Sequence, residues 1–329
     1  MIQENIVSPR GYEFHMQLFE PKSVNRVGIL GAGTIGASWA AHFLARGMDV
    51  QVWDPGPGSE ARARGFVANA WPALERLGLA QGADQARLAY FDDLGDALAG
   101  VQFVQENAPE DKAIKLPLYE RFDTVLPENV VLSSSTSGLL MTELQAGRAG
   151  RARFVVGHPF NPPHLIPLVE VLGGEETAVE AVDWAMAFYD AHGKVPVRLH
   201  REQAGHLVNR LQAAIWREAI DAVVSGVASV EDVDKAIAYG PGLRWALMGP
   251  HQIFALAGGP GGMPNFMEHF GPNVEMWWSD MRDVTLTPDV KTAIIDGVAA
   301  EAAGRSIESL AAERDARLVD LLEMLKRKR

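Results

Sequence analysis

Cysteine is absent from the 329 residues. That excludes disulfides, thiolate metal sites and a cysteine nucleophile. Long apolar runs are absent too. No stretch approaches the roughly 20 residues that cross a bilayer, although 47% of the chain is hydrophobic. The first residues, MIQENIVSPR, lack the apolar centre of a secretory leader. Basic side chains are in the minority: 30 Lys and Arg against 42 Asp and Glu leave a formal net charge of −12. That balance disfavours nucleic acid and anionic membranes as partners. The terminal KRKR follows an amphipathic stretch and reads as a helix end, where cations suit the helix dipole. No two histidines stand at metal-ligand spacing such as H-E-x-x-H, so no metal is expected. These absences leave a soluble cytoplasmic protein of about two domains as the expectation.

What is present is a regular alternation. Short apolar runs at 27–30, 49–53, 87–91, 103–105 and 129–133 read as strands. Between them, 34–46, 59–77 and 111–126 carry apolar residues at helical spacing. FVVGHPF and PLVEVL read as two more strands joined by NPPHLI, followed by a helix over 175–191 and a strand over 194–199. Beyond His200 strand signals nearly vanish, and 203–226, 231–239, 289–303 and 306–328 read as amphipathic helices. The pattern predicts an α/β fold, a doubly wound sheet domain followed by an all-helical C-terminal domain. The expected division is an N-terminal extension over 1–25, a dinucleotide-binding domain over 26–200 and a helical domain over 201–329. The region 240–283, rich in Gly, Pro, Trp, Phe and Met, fits neither pattern cleanly.

Residues Gly31, Ala32, Gly33, Thr34, Ile35 and Gly36 spell G-x-G-x-x-G directly after an apolar strand and open a helix. Asp54 ends the next strand, 23 residues after Gly31. This is the context that makes the motif a dinucleotide fingerprint. Gly31 allows the tight turn, Gly33 lets a pyrophosphate approach the backbone, and Gly36 lets the helix pack close. The helix N-terminus offers free N–H groups to phosphates. Asp54 can accept from ribose hydroxyls and would repel a 2′-phosphate, which favours NAD over NADP.

GHPFNPPHLIPLVEV sets His158 at one strand end and Glu170 in the next strand. A carboxylate holding one imidazole nitrogen leaves the other free as a base. A satisfied core histidine has the same appearance. GAGTIG, SSSTSG, GHPFNPP followed by LVEV, and G-x-x-VNR occur in this order over residues 26 to about 240, and together they resemble the L-3-hydroxyacyl-CoA dehydrogenase superfamily. The resemblance implies a Rossmann-type domain, NAD as cofactor and a helical domain that makes a homodimer. It implies His158 as catalytic base with Glu170 as its orienting partner. Ser137 and Asn209 match residues that hold the substrate oxygen, and Asn161 a residue beside the nicotinamide. Glu110 and Lys115 match residues that contact the cofactor's ribose. Taken alone, Ser137 also reads as a helix cap and Lys115 as a solvated helix charge. The superfamily usually carries Gly-Phe where this chain has Gly205-His206; His206, three residues before Asn209, either reaches the pocket or caps or solvates that helix end, and the second is the expectation.

The 240–283 segment, with WPALERLGLA and SSSTSGLL, resembles the carnitine-oxidising branch of that superfamily, and more distantly gulonate dehydrogenase and lambda-crystallin. Carnitine's quaternary ammonium has no N–H, so aromatic faces are its natural partners. Trp245, Phe254 and Trp277 are candidates, and the Arg244 fork suits the carboxylate at the other end. A 3-hydroxyacyl-CoA or gulonate-type hydroxy acid remains an alternative substrate. A structural NAD-binding protein of the lambda-crystallin kind is the remaining class.

Overall fold

Ile29 and Leu30 point to opposite faces of one strand, and both are fully buried. A strand apolar on both faces needs helices on both sides. The computed structural model, which describes residues 17–326, supplies them. The strands are β1 (Arg26–Leu30), β2 (Asp49–Trp53), β3 (Leu88–Phe91), β4 (Phe103–Glu106), β5 (Val131–Ser134), β6 (Phe154–Pro159), β7 (Leu168–Gly173) and β8 (Val195–Arg198). They form one eight-stranded sheet in the order β3-β2-β1-β4-β5-β6-β7-β8. The first six run parallel, in the order of a doubly wound dinucleotide fold. β7 turns back, antiparallel to β6, and β8 pairs parallel to β7, so both run against the first six.

Two apolar clusters cover the two faces. One gathers Val27, Ile29, Val50 and Val52 with side chains of α1 (Thr34–Ala45), α2 (Ser59–Leu77) and α6 (Val179–Ala191). The other gathers Leu30, Val104 and Leu132 with α3 (Leu94–Leu98), α4 (Lys112–Val125) and α5 (Met141–Gln145). Residues 1–16 of the expected extension lie outside the described residues. The rest of that segment joins the sheet unit: Phe19 packs on both clusters, and its carbonyl accepts from Trp184 Nε1 at 2.5 Å.

The chain divides into two compact units at Asn209/Arg210. The division comes later than the change in sequence character because residues 202–208 are tied to the sheet unit. Glu202 accepts from Thr142 N at 3.1 Å, and the amides of Leu207 and Val208 donate to Glu170. The second unit holds most of α7 (Val208–Val224), then α8 (Val230–Tyr239), α9 (Pro241–Trp245), α10 (Pro250–Ala257), α11 (Gly262–Asp280), α12 (Pro288–Ala302) and α13 (Ile307–Lys326). The last three residues of the basic terminus lie outside the described residues. The irregular composition of 240–283 resolves into helices although Pro272 stands inside α11, in part because other prolines sit where a helix tolerates them. Pro241 and Pro250 open α9 and α10, where the missing N–H has no intrahelical partner in any case. No helix among the described residues is long and apolar enough to cross a membrane.

Beneath the sheet's carboxyl edge, Glu106 and Lys115 form a buried ion pair at 2.6 Å, with side-chain exposures of 0% and 1%. Every oxygen of Glu106 is used: Oε1 also accepts from Ala108 N, and Oε2 from Ser134 Oγ and Tyr119 OH. Removing one partner of such a pair leaves an uncompensated charge, which costs about 3–5 kcal/mol. Lys115→Met should therefore lower the melting temperature markedly. A variant that melts with wild type in a calorimeter would show that the pair is not structural.

Candidate functional site

The expected site residues of the sheet unit lie just beyond the carboxyl ends of successive strands. The glycine loop follows β1, Asp54 follows β2, Glu110 lies in the loop after β4, Ser137 in the loop after β5, and His158 is near the end of β6. A ligand of a doubly wound sheet sits in this crevice, at the point where strand order reverses. Here the reversal falls at β1, between β2 and β4.

The three glycines are glycines for different reasons. Gly31 has φ +85, and a Cβ there would stand 2.6 Å from the Asn107 carbonyl oxygen. A Cβ on Gly36 would meet Gly31 O at 1.8 Å. Gly33 has an ordinary φ of −66, and a Cβ there would meet nothing within 4 Å. The protein itself does not need glycine at 33. The open space above it, at the start of α1, fits a pyrophosphate that approaches the backbone. Asp54 lies beside this loop: Oδ2 accepts from Ala32 N at 2.6 Å and Oδ1 from Gly56 N at 2.7 Å.

Glu110 is seated in a nest of amides. Its Oε1 accepts from Ser137 N and Gly138 N, both at 2.8 Å, and from Thr136 Oγ1 at 2.6 Å. The carboxylate thus fixes the loop on which the exposed Ser137 stands. Lys115 is neither a solvated charge nor open to the crevice. It is held by Glu106 and by Ala108 O at 3.0 Å, so it braces the loop that carries Glu110. Thr34, at the N-terminus of α1, and Asn161, after β6, are exposed, and Asn209 in the first turn of α7 is half-buried.

His158 and Glu170 are direct cross-strand neighbours in the β6–β7 register. His158 Nδ1–H donates to Glu170 Oε2 at 2.8 Å, because an ionised carboxylate can only accept. Glu170 is fully buried, and its Oε1 accepts from Leu207 N and Val208 N, both at 2.9 Å. Burial pushes the Glu170 carboxyl up. The bonds from His158, Val208 and Leu207, with the charge of His158, outweigh it and hold the group below the ordinary carboxylate range. Glu170 is therefore ionised at neutral pH, and the free nitrogen of a neutral His158 is Nε2.

His206, expected at a solvated helix end, is 1% exposed, and its ring centroid lies 5.1 Å from that of His158. The only sequence signal for this placement is the departure from Gly-Phe. In the second unit, Arg244 and Trp245 end α9. Trp245 lines a groove of about 630 Å³ with Trp278, Glu218 and Asp232. Phe254 stacks on Phe266 at 5.0 Å, and Trp277 on α11 is exposed.

Space above Gly33, an acid beyond β2 and a histidine held by an ionised glutamate are what a dinucleotide-dependent dehydrogenase needs at this sheet edge. Residues 26–203 match the family model described as 3-hydroxyacyl-CoA dehydrogenase, NAD binding domain, and residues 205–286 match the C-terminal domain of the same family. The chain belongs to the 3-hydroxyacyl-CoA dehydrogenase family and is an NAD-dependent oxidoreductase. A protein from Streptomyces coelicolor named L-carnitine dehydrogenase is 51% identical over 302 residues, which covers 92% of this chain and 95% of that one. One of the same name from Bacillus cereus is 42% identical over 305 residues, covering 93% and 94%. Among solved structures, a 5-formyl-3-hydroxy-2-methylpyridine 4-carboxylic acid 5-dehydrogenase described as an NAD+-dependent dismutase superposes with a TM-score of 0.79. It is 30% identical, with 92% of this chain and 99% of that one covered.

The glycine geometry gives a paired expectation. Gly33→Ala should fold and melt close to wild type but bind NAD more weakly, since the added methyl fills only the ligand's space. Gly36→Ala should lose stability as well, because its methyl meets Gly31 O. Thermal melting together with NAD titration separates the two. Equal NAD affinity in Gly33→Ala and wild type would contradict the reading.

Proposed function

We propose that this enzyme oxidises the 3-hydroxyl of L-carnitine to 3-dehydrocarnitine. The observation that carries the chemistry is the buried bond between His158 and Glu170 at 2.8 Å. The substrate rests on likeness to proteins named L-carnitine dehydrogenase over about nine-tenths of both chains.

Bound NAD supplies the acceptor for the hydride that leaves carbon 3. The glycine loop, residues 31–36, would take the pyrophosphate, and Asp54 the adenosine ribose. Glu110 and Lys115 hold loops that would border the nicotinamide-side ribose, and Asn161 would serve the nicotinamide. His158 Nε2 takes the hydroxyl proton. Glu170 holds the ring by Nδ1 and offsets the positive charge that forms on it. Ser137 and Asn209 position the same oxygen. Within the second unit, Arg244 is the candidate partner for a carboxylate, and Trp245, Phe254 and Trp277 are the candidate aromatic faces for a trimethylammonium group. Trp245 already shares its groove with a second indole and two carboxylates, chemistry that suits a quaternary cation.

General-base help is worth about 10²–10⁴-fold in rate. His158→Ala should lower kcat by that factor with NAD affinity nearly unchanged, and turnover within a few-fold of wild type would remove His158 from the role. NADH absorbance with carnitine, gulonate and 3-hydroxybutyryl-CoA offered side by side tests the substrate. Preference for either of the latter two would replace the carnitine reading.

We also infer a homodimer built on the second unit. Leu211, Trp216, Leu243, Leu256, Trp278 and Ile295 all expose large apolar surface there, and exposed apolar area on this scale marks an association surface. Light scattering at micromolar concentration should give twice the chain mass of 35.7 kDa. A monomer mass would refute it.

A further inference from the structure

The segment that joins β6 to β7, residues 160–167, reads FNPPHLIP. It lies between His158 and Glu170. Asn161 on it is exposed, while Pro162, Pro163, His164 and Leu165 are buried. Proline has no N–H, so such a segment has more carbonyls to satisfy than donors of its own. The Pro162 carbonyl takes two local amides, Leu165 N at 3.0 Å and Ile166 N at 2.9 Å. Pro167 O accepts from Val195 N at 2.8 Å. The carbonyls of Pro163 and Ile166 both accept from one side chain, Lys194, whose Nζ lies 3.1 Å from Ile166 O.

Lys194 stands just before β8 and is 4% exposed. Its surroundings do not favour a cation. Burial drives its proton affinity well below that of an ordinary lysine, and the like charge of Arg46 adds to this. The ring of Trp39 lies beneath it, with Nζ 4.7 Å from the ring centroid. An apolar side chain of the same length would escape the cost of burying an amine. What lysine adds is the pair of bonds to the loop. Nζ keeps at least two N–H groups whether charged or neutral, so these bonds do not depend on its protonation state.

The loop is also gripped by α1. His164 N donates to Ser38 Oγ at 2.9 Å, and the same Oγ lies 2.8 Å from His164 Nδ1. Ser38 and Trp39 are successive residues of the helix that opens at the glycine loop. The helix that would receive the pyrophosphate thus also steadies the loop that would serve the nicotinamide.

We propose that Lys194 is a positioning residue for the nicotinamide end of the cofactor: by holding the carbonyls of Pro163 and Ile166, it fixes the turn from which Asn161 is presented. This rests on the reading of Asn161 as the residue that serves the nicotinamide. Lys194 is buried behind the loop and acts only through it.

The test compares NAD with ADP-ribose, which has the adenosine and the pyrophosphate but no nicotinamide, by calorimetric titration. Lys194→Met keeps the length of the side chain and removes the donor. It should weaken NAD binding by about three- to ten-fold, the worth of one hydrogen bond, and bind ADP-ribose like wild type. In the cofactor-free protein, amide exchange should quicken at Leu165 and Ile166, with β1 as the unchanged reference. Asn161→Ala should show the same selective loss. The double variant should lose no more than Asn161→Ala does, because Lys194 acts through that residue. Should Lys194→Met fail to fold, Lys194→Gln, whose donor is one bond shorter, carries the same readings. Equal losses for NAD and ADP-ribose, or losses that multiply in the double variant, would overturn the proposal. A selective loss in Asn161→Ala without one in Lys194→Met overturns the proposal alone. No loss in Asn161→Ala overturns the reading on which it rests. Binding needs no turnover, so the result stands if the substrate is another hydroxy acid.

Discussion

Glu170 is the side chain on which the site depends. One carboxylate oxygen orients His158, and the other receives the first amides of α7. The same charge therefore sets the tautomer of the imidazole and receives the amides of Leu207 and Val208 within the sheet unit. It is fully buried, and burial alone would neutralise it. Two amides at a helix start and one imidazole N–H are enough to keep it ionised. The antiparallel return of β7 is what makes this arrangement affordable in chain length, since it sets residues 158 and 170 directly opposite each other across one ladder.

A second layer of polar contacts holds the loops around it. Tyr189 on α6 donates to Gln105 Oε1 at 2.5 Å. Gln105 Nε2 donates to Ser135 Oγ at 2.8 Å, and Ser135 Oγ donates to Asn107 Oδ1 at 2.7 Å. Asn107 in turn donates to the carbonyl of Leu30, the last residue before the glycine loop. With Glu106–Lys115 below and Glu110 in its amide nest above, three adjacent strand ends are fastened to one another. Satisfied buried networks of this kind specify one arrangement of loops.

Much of this was legible in the residues. GAGTIG between an apolar strand and a helix has one common structural meaning, and the twelve-residue step from His158 to Glu170 suits a strand, a loop and a returning strand. The sheet and its helices follow from short apolar runs that alternate with stretches of helical spacing. Other features were hidden for physical reasons. Lys115 reads as a surface charge because its partner Glu106 ends a different element, and only the sheet brings them together. The burial of His206 depends on two consecutive left-handed residues, and a histidine next to a glycine does not announce that. The helices of 240–283 are masked by composition, since glycine and proline count against a helix interior even where they stand at its first turn or cap.

The glycine loop contains two kinds of constraint that the motif writes with one letter. At 31 and 36 the demand comes from the fold: backbone conformation at one, and a carbonyl in the way of a methyl group at the other. At 33 the demand comes from outside the chain. A descendant that gave up its nucleotide but kept its shape would be free to drift at the middle position alone. A search that weighs all three glycines alike would go on counting it as a nucleotide binder. In this fold, then, the residue that tells a working dehydrogenase from a relative that has kept only its architecture is the glycine with the most room around it.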